Sequence, residues 1–174
     1  VTFLYKKEYF KNLDSFEELI NFTSKKKDGK VLIIDTSNKF EIGGVELKKA
    51  LTSFNYYLAL PGIIIPYSHN HVEAMSVVCI PVVHQSYADL MVPNLINEDN
   101  CFTYDSLEEL DRLIRKLFVL NGAKIEKMRK DVLFYYEQYL SPYAVVKKIE
   151  NNKFDEIFIQ AEAISLALFK NKSD

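Results

Sequence analysis

His69, His71 and Glu73 stand at alternate positions in "PYSHNHVEAM", and His69 and Glu73 are four residues apart, one turn of a helix. Residues of these types could ligate a metal, assist hydrolysis of a nucleic acid, or hold a polar ligand by hydrogen bonds. Two histidines and a carboxylate lack the further ligand that a closed zinc shell needs, so no metal is expected. The run His-Asn-His matches the name of a nuclease class, but nothing around it supplies the rest of such a site. The third chemistry fits best. Ser68 suits an N-cap, and a helix from His69 to about Val78 would present its free first-turn N–H groups to an anion such as a phosphate. A carboxylate one turn in sits at the depth where sugar hydroxyls can donate to it. Glu73 is therefore the leading candidate, and an ordinary solvated helix carboxylate is the bland alternative.

Neighbouring groups are weaker candidates. His84 ends an apolar run and can serve simply as a hydrogen-bonding partner for the next loop. Cys79 reads as a small buried apolar residue, because no basic neighbour in the sequence is placed to activate it.

The elements that must position these groups alternate. "VTFLY" (1–5), "KVLIID" (30–35), "YYLALP" (56–61), "IPVVH" (80–84) and "CFTYD" (101–105) read as strands. Ser15 with Glu18 marks a helix start, and Val45 to Phe54 has the apolar spacing of a short helix. The run 25–30, rich in lysine and closed by Gly29, is a solvated turn. Residues 106–174 read as mostly helical: a capping box at Ser106 and Glu109 opens one helix, and Asn121-Gly122 stops it. A second follows through Ile125, Met128, Val132 and Tyr136, a third starts at Ser141-Pro142, and a last one spans Asp155 to Lys170. Strands alternating with helices imply a doubly wound α/β domain: a Rossmann-like parallel sheet of about five strands with a C-terminal helical tail, residues 1–174 forming one domain. In such sheets ligands bind beyond the carboxyl ends of the strands, where Pro61-Gly62 and the His-rich turn fall.

Composition sets the outer bounds. The 174 residues are 48% hydrophobic and 26% charged with a net charge of −2, a globular balance with no field to attract nucleic acid. Two cysteines in apolar surroundings suggest a reducing compartment, and a cytoplasmic location is expected. No apolar run reaches the length of a transmembrane helix, and the opening residues lack the long apolar core of a signal peptide. The first residue is Val1, so the chain is expected to be a fragment or a processed piece.

The stretch "YYLALPG…PYSHNHVEAMSVVCIPVVHQSYADLMVPNLINEDNCFTYDSLEELDRLI" resembles the C-terminal, donor-binding half of GT-B-fold glycosyltransferases. Its texture is similar to the exostosin-like and bacterial polysaccharide-building branches. The resemblance covers Tyr56 to Leu117 best, carried by Glu73-Ala74-Met75 and Ile80-Pro81-Val82. It implies that Glu73 holds the ribose of a nucleotide sugar. It places the turn Pro66–His69, with Tyr67 and Ser68, and the helix N-terminus toward the diphosphate, Gly62 among the donor-binding residues, and Ser86-Tyr87-Ala88 near the donor sugar or base. Lys6 or Lys7 is implied as a phosphate-binding residue. Enzymes of this kind usually need no metal, in keeping with the lack of a paired-Asp motif, and no cofactor is expected.

This chain departs from that pattern at three places. Ile65 stands where many members carry an earlier Glu, Val78 where a Gly often stands, and no Gly follows the first strand. An acceptor-binding half has no room in 174 residues. The partners implied are a nucleotide-sugar donor, a glycan or glycoconjugate acceptor, and either the missing half or a second copy. Peripheral membrane association is a further expectation. The rival reading is a non-catalytic Rossmann-like module that binds a nucleotide or a protein. A receiver domain would need an acidic pair where Lys6-Lys7 stand.

Overall fold

The computed structural model describes residues 10–11, 15, 17–18, 21, 33–34, 42–60, 69–154 and 156. The expected strand 1–5, the candidate residues Lys6, Lys7, Gly62, Tyr67 and Ser68, and nearly all of the expected last helix lie outside them. Strand β1 (Phe10–Lys11) pairs in parallel with β2 (Ile33–Ile34), Phe10 opposite Ile33. At the intervening helix start, the Glu18 N–H donates to the Ser15 hydroxyl at 3.2 Å, the cap that their spacing predicts.

The second group is larger. Helix α1 (Gly44–Leu51) begins where the Glu46 carboxylate accepts the Gly43 N–H at 3.2 Å. It leads to β3 (Tyr56–Leu58), α2 (His69–Ser76), β4 (Ile80–His84), the single turn α3 (Gln85–Ala88) and β5 (Phe102–Tyr104). Strands β3, β4 and β5 form a parallel sheet in that order, with Tyr56 opposite Ile80 and Val82 opposite Phe102. The described chain is thus α/β with a three-stranded parallel sheet. Its strand order follows the sequence, and no reversal of order occurs within these three strands.

The central strand contains a proline, which a ladder normally rejects. The Ile80 N–H donates to the Asn55 carbonyl and the Val82 carbonyl accepts from Ala59, so both residues bond toward β3. Pro81 therefore turns its missing donor toward β5, whose ladder starts only opposite Val82. Four of the five β4 residues are buried, as expected for a parallel strand covered on both faces.

Strand alternation sets Tyr56, Leu58, Ile80, Val82, His84, Phe102 and Tyr104 on one face. The Tyr56 and Phe102 rings meet edge-on at 6.1 Å, as that register requires. Tyr57 lies on the other face and packs with Leu51, Ala74 and Cys79. The main core joins the sheet to Met75, Leu110, Ile114, Leu117, Met128 and Val132.

Helices complete the described chain. Helix α4 (Leu107–Phe118) is capped by Ser106, whose hydroxyl accepts the Glu109 N–H at 3.2 Å, while the Glu109 carboxylate accepts the Asp105 N–H at 2.9 Å. Asn121 does not stop α4. It starts α5 (Gly122–Tyr135), accepting the Ala123 N–H at 2.7 Å. A short Asn side chain with extended backbone is a strong N-cap, and the helix before it has already ended at Phe118. One turn of π-helix (Tyr136–Leu140) then leads to α6 (Pro142–Asn151), capped by Ser141 with Pro142 in the first turn. Among the described residues no helix is long and apolar enough to cross a membrane.

Candidate functional site

Helix α2 follows the carboxyl end of β3, and α3 follows directly from the carboxyl end of β4. Both segments singled out in the sequence therefore belong to the carboxyl rim of one parallel sheet. Along α2, His69 is exposed, Asn70 and Glu73 are half-buried, and His71 is buried. The two histidines thus do not share a solvent-facing site. Among the described residues no group of three or more His, Cys, Asp or Glu side chains is gathered closely enough to hold a metal.

Glu73 reaches toward the first turn of α1. A methyl group on Gly44 would lie 3.7 Å from Glu73 Oε1, in ordinary van der Waals contact, which places the carboxylate beside that turn. There the carboxylate is placed to interact favourably with the positive end of α1. Tyr57 lies close by. Burial pushes its phenol up, a hydrogen bond with Asn70 pulls it down, and the Glu73 charge raises it again. Glu73, Asn70, Tyr57 and the α1 terminus thus form one polar corner.

The β4 end is a second corner. His84 has extended backbone (φ −65°, ψ 141°) and caps α3, its Nδ1 accepting the Ser86 N–H at 3.3 Å. Nδ1 also lies 2.8 Å from the Ser86 hydroxyl. A backbone N–H can only donate, so Nδ1 is the bare nitrogen and the proton sits on Nε2. The imidazole meets the Tyr104 ring edge-on at 5.5 Å and the Tyr87 ring, tilted, at 5.7 Å. Gln85 Nε2 donates to Asp89 Oδ1 at 2.8 Å and ties α3 to the residue after it. Beside β5 lies an open cleft of about 430 Å³ lined by Gln85, Tyr104, Asp105, Glu109, Arg112 and Lys116 among others.

The sequence reading of His84 as a structural residue is thus accurate for one nitrogen and silent on the other. Tyr104 was not singled out at all. The available signal was an aromatic or imidazole side chain at the last position of β4 and of β5, as in "IPVVH" and "FTY".

Cys79 packs against Tyr57, and neither cysteine is a reactive group. Cys79 Sγ lies 3.5 Å from the Phe54 carbonyl, and burial pushes its thiol up to about 12. Burial does the same for Cys101, likewise to about 12. Neither can supply a thiolate at neutral pH.

Comparison with protein-family models, with curated proteins and with solved structures finds no match for this chain.

Proposed function

We propose that the chain is the nucleotide-sugar-binding half of a metal-independent glycosyltransferase that builds a polysaccharide or glycoconjugate. In this reading the sheet extends to the doubly wound, roughly five-stranded form that the GT-B resemblance implies. The observation that carries it is the shared rim: the Glu73 helix and the His84–Tyr87 turn both follow carboxyl strand ends of one parallel sheet. Glu73 accepts hydrogen bonds from the ribose. The first turn of α2, beginning at His69, faces the diphosphate, and Ser86 and Tyr87 approach the donor sugar. Negative charge builds on the diphosphate as the glycosidic bond breaks, and fixed N–H dipoles stabilise that charge without reorganising. The acceptor and its activating base come from a partner half.

A second reading, a non-catalytic module, draws on one observation. The Glu73 carboxylate already has a structural role available beside the α1 terminus. Calorimetric titration of UDP, GDP, ADP and CMP into the chain and into Glu73→Ala separates the two. Under the enzymatic reading one diphosphate binds, and the substitution weakens it by about 1–3 kcal/mol, the loss of a buried hydrogen bond. Folded protein that binds none of them, and whose Glu73→Ala form is simply less stable, supports the module.

A further inference from the structure

The imidazole of His84 has one nitrogen engaged by Ser86. Nδ1 is held by Ser86, which assigns the proton to Nε2, and among the described residues Nε2 meets no hydrogen-bond partner. This neutral donor stands at the carboxyl end of the central strand, flanked by the Tyr87 and Tyr104 rings. Gln85 and Tyr104, its neighbours in chain and in space, line the open cleft of about 430 Å³ beside β5. An uncharged, orientated N–H among aromatic faces suits a hydroxylated ring. A phosphate would draw its chief gain from charge, which this tautomer does not carry.

We propose that His84 is a specificity residue for the sugar portion of the donor, its Nε2–H donating to a hydroxyl of a nucleotide-linked hexose. The assignment rests on the donor-half reading. Ser86 acts through His84 as a positioning residue, because its N–H and hydroxyl fix which nitrogen carries the proton. The cap and the donor are two functions of one ring, and they can be separated: asparagine at position 84 keeps an acceptor for the Ser86 N–H but ends short of Nε2.

The test titrates UDP, GDP and ADP, and then UDP-glucose, GDP-mannose and ADP-glucose, into the full chain and into His84→Asn. The expected result is a wild type that prefers one conjugate over its diphosphate, and a variant that loses about tenfold on the conjugate alone. Equal loss on both ligands, no loss on either, or a wild type that ignores the sugar overturns the role of His84 and leaves the donor-half reading standing. A wild type that binds no diphosphate overturns that reading and this assignment with it. Independently of any variant, nitrogen-15 NMR of the wild type should show a bare Nδ1, and a protonated Nδ1 at neutral pH would refute the proposal.

Discussion

Val78 has φ +68°, the left-handed region that suits glycine and strains a β-branched side chain. Its place in the chain explains why. The Cys79 N–H donates to the Ala74 carbonyl and the Val78 N–H to the Met75 carbonyl, the paired bonds of a Schellman C-terminus for α2. In the pattern that the sequence resembles a glycine often stands here, and in this chain a valine adopts the left-handed geometry. Replacing Val78 by Gly relieves roughly 1–3 kcal/mol of strain, against about 0.5–1 kcal/mol of added chain entropy and the loss of a half-buried side chain. The expected outcome for Val78→Gly is a gain of about 1 kcal/mol, read from the denaturant midpoint at unchanged slope. The strain was invisible in the sequence, because a valine before "CIPVV" looks like the start of the next strand. Only the return of the chain from α2 into β4 shows the turn it must make.

Caps and ion pairs can be ranked at the scale of the elements. Ser106 satisfies an otherwise orphaned N–H of α4, whose acidic first turn and basic last turn already complement its dipole. Lys116 pairs with Glu98 and Lys127 with Asp99 at 2.8 Å, which ties α4 and α5 to the loop before β5, while Lys127 also pairs with Asp131 at 2.7 Å within α5. The Lys116 hydrogen bond holds the Glu98 carboxyl below its ordinary value, but both partners are about half exposed, where such pairs contribute little. Ser106→Ala is therefore expected to cost about 1 kcal/mol in urea unfolding. Glu98→Gln should change stability by less than about 0.5 kcal/mol, and the smaller effect should fade in high salt. A larger loss from Glu98→Gln than from Ser106→Ala would reverse this ranking. The Ser106 and Ser141 caps were legible because capping uses neighbours in sequence. Asn121 was misread as a stop because Asn-Gly serves helix ends and helix starts alike, and its backbone conformation alone decides between them.

For the molecule as a whole, burial of acidic protons sets the response to alkali. Burial raises the thiols of Cys79 and Cys101 from 9.0 to about 12, and the Tyr56 phenol from 10.0 to about 12. Folded values above unfolded ones mean that the native state keeps protons the unfolded chain gives up. Their contribution is thus complete below about pH 9 and is lost as the pH climbs toward 12. Denaturant midpoints should fall steadily above about pH 9, and both thiols should resist alkylation at neutral pH until the chain unfolds. Rapid alkylation of native protein would contradict the burial of both residues. The sequence by itself determined the α/β alternation, the start of a strand at Tyr56, the strand 80–84, most caps and the inert cysteines, because period, propensity and capping act over a few residues. Tertiary structure alone decided that Glu73 sits beside Gly44, that His71 is buried, and that His84 stands between Tyr87 and Tyr104. Those neighbours are brought together by strand register and helix packing, and contacts between residues distant in the chain leave no local pattern to read.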